Sequence, residues 1–195
     1  MALTKSDVTI ISRGTSNAAF TQLTGCSVTR SGTTATLTKT SHGLSNGNVV
    51  LIQGFSLEEF NGVFTVANAA SNTFDYTIKQ DPGANPSGTP GTVDKVTLGS
   101  VLDLSSSYSA SIVGGLQNGN TGPTVGAQVW VGEALANNEY DYLWRPLLTG
   151  DATANAFTPF VFIPAQAAQF VNLAVCRNTG QAVDCYAVAS HISAV

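Results

Sequence analysis

The sequence predicts an all-β protein: a small N-terminal β module, then a β-sandwich or jelly-roll-like domain, with an extended N-terminal arm in front. Three observations predict it. Apolar residues recur in short alternating runs broken by Gly, Asn, Pro and Ser, the pattern of many short strands. Long helical periodicity is missing. Finally, 43% of the 195 residues are hydrophobic and only 10% are charged, against a usual charged share of about 25%. Low charge with this hydrophobic content is not the composition of a disordered chain, and a chain of this length buries a core.

Residues 1–24 form the expected arm. Val8-Thr9-Ile10-Ile11 reads as one strand, and Ser12 to Asn17 offers nothing for a core. Two readings stand: a loose terminus, or an arm that orders on a neighbouring subunit by adding a strand.

Residues 25–98 form the small module. Its expected strands are Thr33–Lys39, Asn48–Gln53, Val63–Asn68, Thr73–Ile78 and Val93–Leu98. Ser56-Leu57-Glu58-Glu59-Phe60 reads as one helical turn with Ser56 as N-cap and Glu59 closing a capping box. The run Asp81–Gly91 is rich in turn formers and reads as a long surface loop.

Residues 99–195 form the sandwich. Expected strands are Ser109–Gly114, Gln128–Glu133, Tyr140–Pro146, Phe160–Ile163, Gln169–Arg177 and Ala182–Ser190. The last two are expected to pair as a hairpin through Asn178-Thr179-Gly180. In that hairpin Cys176 and Cys185 fall out of register, so Cys26, Cys176 and Cys185 are all expected as free thiols packed as small hydrophobes.

A net charge of −4, with eight Lys+Arg scattered along the chain, does not suit a nucleic-acid binder, which needs clustered cations against phosphates. No apolar run follows Lys5 as a signal peptide requires, and no stretch approaches the roughly 18 apolar residues of a membrane span.

Residues able to carry chemistry are few. A nucleophilic triad needs a histidine base, and only His42 and His191 are present. His42 lies in a Ser-His-Gly-Leu turn, where imidazole often satisfies local backbone. The Cys and His spacings fit no metal motif. Glu139 and Asp141 alternate with Tyr140 and Tyr142, which fits either a calcium site or a solvated strand face, and the solvated face is expected. Glu58 and Glu59 are assigned to the helix turn, while Asp103 and Asp151 fall in loops. Trp130, Trp144, Tyr108, Tyr140 and Tyr142 are the candidates for a carbohydrate-stacking surface, with Trp130 and Trp144 expected in the core. No catalytic, cofactor-binding or metal residue is assigned, and no enzyme activity is expected.

The stretch from Thr34 to Gly54 joins an alternating Thr strand, a His42-Gly43-Leu44 turn, Gly47-Asn48, and the strand Val49-Val50-Leu51-Ile52. Phe60-Asn61-Gly62-Val63-Phe64-Thr65-Val66 and Thr73-Phe74-Asp75-Tyr76-Thr77-Ile78 follow. Together they resemble a small β module recurring in virion proteins of tailed bacteriophages. Asn48 departs from the commoner Asp. The resemblance spans under a quarter of the chain and carries no catalytic residues; His42-Gly43-Leu44 and Asn61-Gly62 are turn formers.

The resemblance implies a structural virion protein, specifically a capsid decoration (cement) protein that binds the outer capsid lattice and stabilises the head. The expected partners are the major capsid protein and other copies of this chain, as a homotrimer on three-fold lattice sites, with neither nucleic acid nor membrane. The expected location is the virion, assembled in the host bacterial cytoplasm. The alternatives are a collar, tail or fibre-attachment protein, or a module recognising a host glycan.

Overall fold

The computed structural model describes residues 3–136 and 142–194. Its regular secondary structure is almost entirely antiparallel β-sheet, in two compact units. One unit is Thr21–Val96; the other joins Met1–Phe20 to Thr97–Val195. The expected boundaries fell instead at 24/25 and 98/99, with the arm set apart.

The arm is the main correction. β1 (Leu3–Asn17) is a full strand of the second unit. It lies antiparallel on the last strand of the same chain, from Leu3 opposite Ala194 to Asn17 opposite Val183. Neither a loose terminus nor a clasp on a neighbour describes it. The register shifts between Thr9 and Ile11, and such a bulge re-aims side chains. Ile10 and Ile11 are consecutive, yet both are buried. The register shifts again between Ile11 and Thr15, after which Thr15, Ser16 and Asn17 pair with Cys185, Asp184 and Val183; a ladder needs only their backbone groups.

The Thr21–Val96 unit holds β2 (Leu23–Ser31), β3 (Thr34–Thr38), β4 (Val49–Gln53), β5 (Gly62–Thr65), β6 (Thr73–Thr77) and β7 (Gly91–Lys95). They form one six-stranded sheet in the order β5-β4-β7-β2-β3-β6. Just beyond β5, Ala67 exchanges two 2.8 Å backbone hydrogen bonds with Asp75 of β6. The sheet therefore curls back on itself as a small barrel, which protects its edges. Its interior holds Leu37, Ile52, Phe60, Phe74 and Tyr76, all at most 1% exposed. The Tyr76 hydroxyl donates to the Phe60 carbonyl at 3.2 Å, so its polar tip is not stranded in the core.

The expected capping box is absent. Glu58–Phe60 is a single 3-10 turn, and Leu57 before it makes no side-chain cap bond. Ser56 Oγ instead accepts the Ser87 N–H at 3.2 Å, and Glu59 Oε1 accepts Gln80 Nε2 at 3.3 Å. One turn is too short for the reciprocal cap; burial of Phe60 holds it. The loop after residue 80 is tied down by Arg30, whose guanidinium reaches Asp81 Oδ1 at 2.6 Å and the Ala84 carbonyl at 3.3 Å.

The second unit is a β-sandwich. It continues with β8 (Thr97–Leu98), β9 (Leu102–Asp103), β10 (Ser107–Asn118), β11 (Gln128–Ala134), β12 (Leu143–Thr149), β13 (Phe157–Phe162), β14 (Phe170–Cys176) and β15 (Val183–Ala194). One sheet has the order β1-β15-β10-β13; the other is β12-β11-β14-β8, with β9 also on β14. Ile112, Leu116, Val129, Val131, Leu173 and Ala187 meet in the single core between them.

Here the expected hairpin is overturned. β14 and β15 belong to different sheets, so the Asn178-Thr179-Gly180 turn carries the chain across the sandwich. Both strands present alternate apolar residues, and each set faces the shared core from its own side. A hairpin would have put both sets in one sheet and left the opposite layer short of cover. The three cysteines are buried and none is in a disulfide; Cys176 and Cys185 are kept apart by this sheet change, not by hairpin register.

Candidate functional site

The residues singled out by the sequence are mostly occupied structurally. His42 is 2% exposed. Its Nδ1 accepts the Leu44 N–H at 3.0 Å, which leaves the ring proton on Nε2 to meet the Thr73 carbonyl at 3.1 Å. Phe74 packs edge-on against the ring, centroids 5.3 Å apart. Asn61 stitches its own turn: Oδ1 accepts the Phe55 N–H at 3.0 Å and Nδ2 donates to the Phe55 carbonyl at 2.9 Å.

His191 Nδ1 lies 2.8 Å from Ser107 Oγ. The nearby Asp103 carboxylate is turned into its own loop, where Oδ1 accepts the Ser105 N–H at 2.9 Å. The bonds to Ser105 hold the Asp103 carboxyl below the usual carboxylate range. Asp151 is lowered in the same way by Thr153. Both aspartates thus act as turn caps. Among the described residues, no group of three or more His, Cys, Asp or Glu is placed to hold a metal ion. Glu139, Tyr140 and Asp141 lie outside the described residues.

Trp130 is 5% exposed, but it is not part of the sandwich interior. Its neighbours Val129 and Val131 point inward, so Trp130 lies on the outer face of its sheet. There Arg177 covers its ring, 5.6 Å from guanidinium carbon to centroid. Trp144 lies on the same face, against Gly132, where a Cβ would meet the indole at 2.9 Å. Tyr142 packs against Trp144 with centroids 5.8 Å apart.

The surface that stands out was not singled out by the sequence. It is the outer face of the β1-β15-β10-β13 sheet. Val113 of β10 stands directly opposite Val161 of β13 and Val188 of β15. Val161 is 65% exposed and Ile163, just past the end of β13, is 73% exposed. Toward the other end, Phe157 and Tyr186 lie nearly parallel, 4° apart with centroids separated by 6.3 Å. They flank Gly115, where an added Cβ would come within 2.4 Å of the Phe157 ring and 3.1 Å of Tyr186. Glycine at this position leaves the space that the two rings fill, an aromatic shelf across β10. The Arg13 guanidinium sits 4.1 Å from the Tyr186 ring centroid, close enough for a cation–π contact.

Strand alternation sorts these residues between the two sides of the sheet. Val113, Val161 and Val188 share one side of their strands, while Ile112, Phe162 and Ala189 fill the core from the other. β13 is thus apolar on both sides, and only the strand order shows that one side is uncovered. Val113, Val161 and Ile163 are thus large apolar side chains left exposed on this face.

No family model matches the sequence, and no curated protein matches it. Among solved structures, the K1 cleaved adhesin domain of Lys-gingipain from Porphyromonas gingivalis W83 aligns over 93% of this chain and 99% of that chain, at 14% identity and TM-score 0.36. A family 16 carbohydrate-binding module aligns over 54% of this chain and 77% of its own, at 18% identity and TM-score 0.30. The enzymatically active domain of bacteriophage CBA120 tailspike protein 4 aligns over 86% of this chain but 19% of its own, at 9% identity and TM-score 0.30. These are distant likenesses among β-rich folds, and no function is carried over from them.

Proposed function

We propose that this chain is a structural, non-catalytic protein of a tailed-phage virion, a decoration protein that binds the outer capsid lattice and stabilises the head. The observation that carries the assembly role is the uncovered apolar face built on Val113, Val161 and Val188, with the Phe157–Tyr186 shelf beside it. Burying such a face gains roughly 25 cal/mol per Å² of apolar area, and many copies on one particle add their contacts through avidity. The phage assignment rests on the resemblance carried by Thr34–Ile78. The chemistry-bearing residues of that stretch, His42 and Asn61, are spent on backbone bonds.

Immunogold electron microscopy of purified particles tests the reading. Label spread over heads supports a decoration protein. Label confined to neck or tail moves the protein to a collar or tail role, and unlabelled particles with an intact epitope reject the virion assignment.

The Phe157–Tyr186 shelf with Arg13 beside it favours a second reading, a host-glycan contact, since flat aromatic faces and a charged donor suit a sugar ring. That reading predicts that Tyr186→Ala abolishes retention on host surface polysaccharide while the chain remains folded.

A further inference from the structure

We infer that the occupant of the apolar sheet face is a second copy of this chain, packed face to face about a two-fold axis. The inference rests on reading that face as an assembly surface and gives it to the contact between copies, so that the lattice contact falls to another surface of the pair; it replaces the expected homotrimer with a two-fold pair.

Size is the first argument. β10 and β15 each run 12 residues. β1 adds 15 residues and β13 six, so at about 3.3 Å per residue and about 4.8 Å per strand the four strands offer a footprint of roughly 700 Å². A standard stable interface takes about 800 Å² from each partner.

Charge is the second. The outward row of β1 carries Lys5 and Asp7, which lie 3.8 Å apart. Arg13 lies over Tyr186, and Asp184 is level with Phe157 through Gln117. Two cations and two anions leave this face neutral, although the chain carries −4. Two copies therefore approach here without the like-charge cost that their net charge imposes elsewhere.

Shape is the third. Let the axis run across the strands at the Val161 level, so that the two β13 strands cross there in opposite directions. Ile163 of one copy then lies at the Pro159 level of the other. At that level Gly115 is opposite both Pro159 and Tyr186, and the Phe157 and Tyr186 rings flank it. Because this axis lays each strand over its own counterpart, Ile163 meets Pro159 of the other copy and the Phe157 ring that reaches over Gly115 beside it, and the symmetry makes the contact twice. Packing is between faces, not edges. β13 is an edge strand, but Pro159 in its middle has no N–H to donate to an added strand.

Sedimentation velocity of the full chain, from low to high micromolar, tests this. The wild type is expected to sediment as two copies. Val161→Asp and Ile163→Asp should each raise the dissociation constant about tenfold or more, with near-UV circular dichroism unchanged. Leu143→Asp, at an equally exposed leucine (74%) on the other sheet, should leave the pair intact. A single copy throughout, a three-copy mass, or a pair that survives both face substitutions overturns the inference. A single-copy protein that still labels phage heads overturns the pairing and leaves the virion reading standing. A two-copy protein absent from particles does the reverse.

Discussion

The amide of Asn178 donates to the backbone carbonyl of Asn17 at 3.0 Å, across 161 residues of sequence. The same amide reaches the Gln181 carbonyl at 2.8 Å, and the two asparagine side chains bond directly. Asn17 Oδ1 also accepts the Thr97 hydroxyl at 2.7 Å. Both asparagines are buried. The knot fixes the end of β1 to the turn where the chain changes sheets. Asn178→Ala should therefore destabilise the sandwich by about 2–4 kcal/mol, since it strands buried backbone acceptors. Both tryptophans, Trp130 and Trp144, lie in this unit, so a lowered midpoint in urea followed by tryptophan fluorescence checks it.

Deleting residues 1–17 should not trim a dispensable arm. It removes Ile10 and Ile11 from the core and leaves the full length of β15 unpaired on one side. Loss of two buried isoleucines alone costs several kcal/mol, at about 2–5 each. The expected result is loss of cooperative tryptophan-monitored unfolding and aggregation through the bared edge. A truncated chain with an unchanged midpoint contradicts this.

His42→Ala should act on the barrel only. It removes a ring that satisfies Leu44 N–H and Thr73 C=O and leaves both groups unmatched, at about 1–3 kcal/mol each. Amide exchange should quicken for β3 and β6 while the tryptophan transition stays put. Equal weakening of both units contradicts the assignment.

Burial pushes the Cys185 thiol up to about 11, with the neighbouring Asp184 charge adding to the shift. The thiol also donates to the Thr15 carbonyl at 3.4 Å. A pKa raised in the folded state contributes stability that is fully present below the unfolded value and lost as pH rises through the folded one. Stability should thus decline between about pH 9 and 11, and Cys185→Ser should flatten that decline. In native protein at pH 8, Cys185 should resist a thiol reagent, which attacks the thiolate; labelling faster than unfolding is the contrary outcome.

Much of the fold was legible in local pattern. Thr34 to Thr38 alternates, and Ala35 and Leu37 are indeed the buried pair. His42 was readable as a turn histidine because its partner Leu44 is two residues away. β2 was missed: Leu23-Thr24-Gly25-Cys26 has weak alternation, and its register breaks between Leu23 and Cys26. The apolar face was missed for a different reason. Phe160-Val161-Phe162-Ile163 is a continuous apolar run, and such a run reads as a strand covered on both sides.

By itself the sequence determined the strand class, most strand positions and the lack of a disulfide among the three cysteines, because each depends on residue type and on neighbours a few positions away. Only the tertiary structure decided that β1 closes the sandwich, that β14 and β15 part into different sheets, and that β13 is an edge with an open face. The physical reason is that strand order is set by backbone pairing over long separations. A backbone ladder carries no side-chain signature, so the pairing of Asn17 with Val183 is written in no local pattern.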